Sequence, residues 1–127
     1  MNADNQRLNQ ISRKVIGAAM KVSNTLGSGF LEKVYENALV HELRRADLKV
    51  DQQRVMTVSY DGIIVGEYAA DILVEDAVLV ELKAAKALDG VHMAQCMNYL
   101  KATGLRVCLL LNFGQPRLQV KRIVRAF

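Results

Sequence analysis

No tryptophan occurs in the 127-residue chain, and its aromatic side chains amount to four tyrosines and three phenylalanines. That scarcity argues against an aromatic stacking platform for single-stranded nucleic acid. Proline is represented once, by Pro116, in a turn expected between the last two β-like runs. The two cysteines, Cys96 and Cys108, have no CxxC or Cys/His spacing, so they read as small core hydrophobes rather than as zinc ligands or a disulfide. The longest apolar runs, such as Val107 to Leu111, fall far short of the roughly 18 residues a membrane span needs. No signal-peptide pattern opens the chain, and a soluble, cytoplasmic protein with no membrane partner is expected. Repeats, low-complexity tracts and linkers are also missing. A chain of this length, 51% hydrophobic, fits a single domain over residues 1–127.

Acidic residues are missing after Asp89, where Lys101, Arg106, Arg117, Lys121, Arg122 and Arg125 stand unopposed. The net charge of +4 therefore hides a basic C-terminal third behind a first part that is slightly acidic. Such a distribution suits a polyanion such as nucleic acid, and equally a solvated basic face with no partner.

What is present alternates between two periodicities. Leu8, Ile11, Val15, Ile16, Ala19, Met20 and Val22 recur at helical spacing, predicting a first amphipathic helix to about Ser23. "NTLGSG" breaks it, and Ser28 is the expected N-cap of a second helix whose apolar face is Leu31, Val34, Tyr35, Ala38, Leu39 and Leu43. Glu32 falls in its opening turns. After Leu48 the pattern turns to β: "VMTVSY", an Asp61-Gly62 turn of the type I′ kind, "IIVGEYAADILV", then a second hairpin into "AVLVELKA". "DGVHMAQCMNYLKATG" predicts a third helix with Met93, Cys96, Met97 and Leu100 inward and Gly104 just past its end. "LRVCLLLNFG" reads as a central strand and "RLQVKRIV" as an edge strand, giving the order ααβββαββ and an α/β class.

The second hairpin carries an anomaly: Asp71, Glu81 and Lys83 lie among its valines and leucines. A three-residue turn over Glu75 to Ala77 sets Val74 opposite Val78 and Asp71 opposite Glu81, whereas a two-residue turn would disperse the acids. Two carboxylates facing each other on a half-buried face need a cation. Lys83 can supply it, as an internal ion triad holding the sheet edge. Alternatively a hard divalent ion such as Mg²⁺ can, since it accepts a few carboxylate oxygens and keeps several waters.

Asp71 followed by Glu81-Leu82-Lys83 resembles the D…(D/E)xK core of the PD-(D/E)xK nuclease superfamily, and "GFLEKVY", with Gly29, Glu32 and Tyr35, resembles the GxxExxY signature of one small family within it. "YAADILVED", "VELKA", "VHMAQCMNYLKATG" and "LLLNFG" are similar to that family's consensus blocks in the same order, so the resemblance covers nearly the whole chain. It implies a restriction-endonuclease-like core, a mixed sheet of about five strands flanked by helices. It also implies Asp71 and Glu81 as main ligands of Mg²⁺ or Mn²⁺, Glu32 as the helical acid completing the site, and Lys83 as the catalytic lysine. Gln95 and Tyr99 match a QxxxY motif on the following helix, where i and i+4 share one face. Ala70 stands where the superfamily's name has proline.

The resemblance implies hydrolysis of phosphodiester bonds in nucleic acid, DNA ahead of RNA, leaving 5′-phosphate and 3′-hydroxyl ends. Tyr35, Gly29 and Arg122 are the further candidates for substrate contact: the tyrosine by its hydroxyl, the glycine by free N–H groups at the helix start, the arginine by its charge. For Tyr35 and Gly29 the competing readings are packing and backbone geometry. His41 is expected at the surface and His92 at the helix start in a structural role. A catalytically silent nucleic-acid-binding or assembly module on the same fold is the alternative function, and a homodimer would enlarge the contact area of so small a domain.

Overall fold

The computed structural model describes residues 3–125. Two helices open the chain, α1 (Ala3–Leu26) and α2 (Glu32–Arg45). Three strands follow, β1 (Val50–Tyr60), β2 (Ile63–Val74) and β3 (Val78–Lys83), then α3 (Gly90–Thr103), β4 (Val107–Asn112) and β5 (Gln119–Val124). The element order is the expected ααβββαββ. The strands form one sheet in the order β1-β2-β3-β4-β5, antiparallel except for the parallel β3–β4 pair that α3 connects.

Helices cover both faces, making three layers. On one face the apolar stripes of α1 (Leu8, Ile11, Val15, Ala19, Val22) and α2 (Tyr35, Leu39, Leu43) pack on Ile72, Val74, Val80, Leu82, Leu109 and Leu111. On the other, Cys96 and Leu100 of α3 pack on Ala70, Leu73, Leu79, Cys108 and Leu110. Strands β3 and β4, covered on both sides, are buried almost throughout, which is why they read as unbroken apolar runs. Both cysteines are buried and free. Among the described residues no helix is long and apolar enough to cross a membrane.

Several local expectations needed correction. Helix α1 starts five residues before Leu8 and runs three past Ser23, because its first turn is polar, with Asp4 near the positive end of the helix dipole, and leaves no apolar period to read. Ser28 does not cap α2; the N-cap is Leu31, in extended conformation and without a side-chain bond. Instead α1 stops at Gly27, whose left-handed φ of 68° favours glycine, and Tyr35 holds the link between the helices. In α3 the partner of the inner face beside Cys96 and Leu100 is Tyr99 rather than Met97, which lies outside the core clusters. Its start is built as a reciprocal cap: the Asp89 carboxylate accepts the Val91 and His92 N–H groups, while His92 Nδ1 accepts the Asp89 N–H. His92 thus has the structural role expected of it.

Both turns came out as expected. Asp61 and Gly62 both have positive φ, as a type I′ connection requires. The second hairpin turns over three residues, with Val74 opposite Val78 and Ile72 opposite Val80, and Glu75 and Asp76 absorb the reversal with positive φ.

Candidate active site

Strand β2 pairs with β3 only from Ile72 to Val74; toward its N-terminal end it leaves the sheet with β1 as a two-stranded ribbon. Asp71 is the residue at the parting. Its Oδ2 accepts the Leu82 N–H at 2.9 Å, taking the place of a ladder bond that β2 no longer makes. That bond fixes Asp71 beside Glu81, as the three-residue turn predicts.

Glu81 points to the α3 side and is buried, at 8% exposure. Among the described residues its Oε1 has no hydrogen-bond partner. Burial, reinforced by the adjoining Asp71 carboxylate, pushes its pKa up to about 9. Burial and, after it, the Glu81 carboxyl raise the hydroxyl pKa of Tyr68 and Tyr99, which stack with ring centroids 3.9 Å apart over this region. Lys83, one strand pitch beyond Glu81 on the same face, is half-buried. Among the described residues it joins no ion pair, so the internal Asp71–Glu81–Lys83 triad is not formed.

The chain after Lys83 is pinned from β4. Asn112, wholly buried and opposite Lys83 in the parallel register, accepts the Ala85 and Gly114 N–H groups at Oδ1 and donates from Nδ2 to the Ala85 carbonyl. Gly114 passes so close that a Cβ there would meet the Ala85 carbonyl oxygen at 2.3 Å. The "LLLNFG" block therefore serves to hold the end of the ExK strand.

A cleft of about 540 Å³ opens at this end of the sheet, lined by Phe30, Leu31, Glu32, Lys33, Glu36, Gln53, Asp71 and Ala84. Glu32, the first residue of α2, lines it with Asp71, but among the described residues no three His, Cys, Asp or Glu side chains converge as a ready cation cage. Tyr35 is fully buried: it stacks on Phe113 at 4.7 Å, donates to the Gly27 carbonyl at 2.6 Å and accepts the Phe30 N–H at 3.1 Å. It thereby shapes the loop that carries Gly29, itself at φ 113°. Gln95 is exposed on α3, four residues before Tyr99. Arg122 is not brought to the site. It lies opposite Leu109, on the face that α1 covers, and donates to Asn9. A cleft of about 590 Å³ between β1 and the end of α3 lies elsewhere, and its charged residues Lys49, Asp76 and Arg54 are ion-paired together.

Two residues of the site lie outside the motifs. Glu36, 4% exposed, accepts hydrogen bonds from Lys33, Gln52 and Gln53. Burial opposes its ionisation, but these donors outweigh it and hold the carboxyl below its ordinary value. Gln53 bridges from Glu36 Oε1, at 2.9 Å, to Asp71 Oδ1, at 3.3 Å. Glu36 carried a legible signal, an acid falling on the Tyr35–Leu39–Leu43 stripe of α2; Gln53 carried none.

Could these residues hold a divalent ion? A buried carboxylate oxygen without a partner, next to a second carboxylate, is a strongly unfavourable arrangement unless a proton or cation completes it. An ion that binds through one or two carboxylates and keeps waters fits the pair without a full protein cage. Asp71 and Glu81 suit Mg²⁺ or Mn²⁺ on these grounds, and Glu32 shares the cleft with Asp71.

Comparison with known proteins places the chain in a family and supports its fold. The family model of the PD-(D/E)XK nuclease superfamily matches residues 9–123, and the chain belongs to that superfamily. Among solved structures it is similar to SSO0001 (TM-score 0.57, 14% identity), covering 76% of this chain and 51% of that one. It is also similar to an alkaline exonuclease, LHK-Exo, from Laribacter hongkongensis (TM-score 0.53, 14% identity), covering 99% of this chain and 73% of that one. At such identity these likenesses speak for the fold, which is the restriction-endonuclease-like α/β core. The chain spans about half the length of SSO0001. No curated protein matches it.

Proposed function

We propose that the protein is a metal-dependent nuclease of the GxxExxY kind, hydrolysing phosphodiester bonds in nucleic acid, DNA ahead of RNA. The observation that carries this reading is the partnerless, buried Oε1 of Glu81 beside Asp71, in a chain of a nuclease superfamily. The exonuclease named among the similar structures is in keeping with it.

In this reading Asp71 and Glu81 hold Mg²⁺ or Mn²⁺, with Glu32 reaching in from the start of α2. The bound ion supplies Lewis-acid polarisation of a phosphate oxygen and a water of lowered pKa. Lys83, joined to no carboxylate, is left to face the phosphate and to orient the attacking water as negative charge develops. Tyr99 forms the wall above Glu81 and excludes water from it, and Gln95, on the same helix face, donates to the substrate. Tyr35 acts through the loop it holds, presenting the backbone of Gly29 to the phosphate chain. The products carry 5′-phosphate and 3′-hydroxyl ends. Arg122, tied to Asn9 of α1, has no part in this reading.

Cleavage of a panel of single- and double-stranded DNA and RNA, in Mg²⁺, Mn²⁺ or EDTA, tests the reading against a Glu81→Ala/Lys83→Ala protein purified identically. Metal-dependent cutting absent from the double variant is the expected result. Two converging acids rather than three favour a second reading, a silent nucleic-acid-binding module on the same fold. Binding without cutting, equal in both proteins, would select it. The exposed apolar strands of the β1–β2 ribbon are in keeping with a homodimer, which sedimentation equilibrium would detect.

A further inference from the structure

The β1–β2 ladder is regular from Val50↔Val74 to Gln52↔Ile72 and again from Arg54↔Ala70, with one step missing where Gln53 faces Asp71. At that step Gln53 takes a φ of 55°, left-handed backbone that a residue with a branched or long side chain seldom adopts. The side-chain alternation of β2 breaks at the same place: Ala70 and Leu73 both pack toward α3, while Ile72 between them packs toward α1 and α2. Asp71 thus leaves the pleat where β2 leaves the sheet, and backbone pairing no longer aims it.

Its aim comes from the hydrogen bonds its carboxylate accepts. Gln53 Nε2 has two hydrogens and spends them on two carboxylates, Glu36 Oε1 and Asp71 Oδ1. Glu36 is anchored in turn by Lys33 and Gln52. The opposite oxygen of Asp71 is tied to the Leu82 N–H. We propose that Gln53 is a positioning residue for the candidate metal centre: held by the buried Glu36, its amide sets the orientation of the Asp71 carboxylate and keeps the two acids apart. Strained backbone retained at such a place, with a neutral double donor between two anions, has a use beyond pairing strands. Outer-sphere partners of metal-binding carboxylates typically change metal affinity or activity by about 10–100-fold when removed.

This inference rests on Asp71 being a metal ligand, and the test separates the two. Mn²⁺ binding to the full chain would be titrated calorimetrically for wild type, Gln53→Gly, Glu36→Gln and Asp71→Asn, beside thermal unfolding of each in EDTA. Glycine accepts the left-handed backbone without penalty, so Gln53→Gly removes the amide while relieving strain. The expected result is a melting temperature unchanged or raised in Gln53→Gly, with Mn²⁺ affinity lowered by about 10-fold or more. Glu36→Gln, which keeps the side-chain size but removes the charge on which Lys33, Gln52 and Gln53 converge, lowers it as well, and Asp71→Asn abolishes binding. Wild-type affinity in both Gln53→Gly and Glu36→Gln, with binding lost in Asp71→Asn, would overturn the positioning role and leave the metal site standing. No Mn²⁺ binding by wild type would overturn both.

Discussion

Strands β1 and β2 each have two halves with opposite surroundings. Near the second hairpin, Val50, Ile72, Leu73 and Val74 are buried between helices on both faces; toward the Asp61-Gly62 turn, Val55, Val58, Tyr60, Ile63, Ile64 and Val65 are largely exposed. The residues are similarly apolar and the ladder is continued, so propensity does not distinguish the halves. The difference lies in what covers them: at Asp71 β2 parts from β3, which runs on to Lys83 beside β4, and the α1–α2 layer stops, while α3 reaches only as far as Ala70, Tyr68 and Met56. A sheet that loses its third strand and one helical layer at a single step leaves a carboxylate at an edge that is dry on one side and open to a cleft on the other. The candidate site is made by that boundary.

The contrast gives predictions that diminish from the packed half outward. Leu79, wholly buried between Leu73 and Cys108, is expected to lose about 2–5 kcal/mol of stability on change to alanine, whereas Ile64→Ala on the ribbon should stay within about 0.5 kcal/mol. Urea unfolding of both variants measures the gap, and equal losses would mean that the ribbon is covered in solution. Gly114→Ala sets a methyl against the Ala85 backbone, so about 1–3 kcal/mol is expected, with cleavage reduced through displacement of Lys83. A normal melting curve for that variant would show the chain after β3 to be pliant. Tyr35→Phe keeps the Phe113 stack and leaves the Gly27 carbonyl and Phe30 N–H without their partner, at a cost of about 1 kcal/mol. Hydrogen exchange at the Phe30 amide should quicken most.

The packed half was the legible one. The register of the second hairpin followed from the acids, since only a three-residue turn gathers Asp71 and Glu81, and the burial of β3 and β4 followed from their unbroken apolar runs. The Asp-Gly turn and the Gly104 stop announced themselves because they need a particular backbone. What escaped is the boundary. The apolar alternation of "VMTVSY" and "IIVGEY" is that of a half-buried ribbon, and nothing local tells that beyond Met56 and Tyr68, which α3 covers, its apolar residues stay exposed. The left-handed turn at Gln53 leaves no mark either, since glutamine is not a residue that favours it. Ser28 does not serve as the cap because α2 begins four residues later, at Glu32, and the link before it is held by Tyr35 through Gly27 and Phe30.

Glu81 decides the account. Its carboxyl keeps its proton in the fold up to about pH 9, while in the unfolded chain it ionises near its ordinary value of 4.5. Without metal, the contribution of Glu81 to stability is therefore whole below about pH 4.5 and is lost as pH rises toward 9. Mn²⁺, by binding the ionised pair in the folded state alone, should restore it. The direct measurement is the unfolding free energy of wild type and Glu81→Gln at pH 8, with EDTA and with Mn²⁺. In EDTA the variant should be the more stable by on the order of 1–3 kcal/mol, and Mn²⁺ should raise the wild type and leave the variant where it is. A variant less stable than wild type in EDTA, or one that gains as much from Mn²⁺, would contradict the assignment of Glu81 as one half of a cation site.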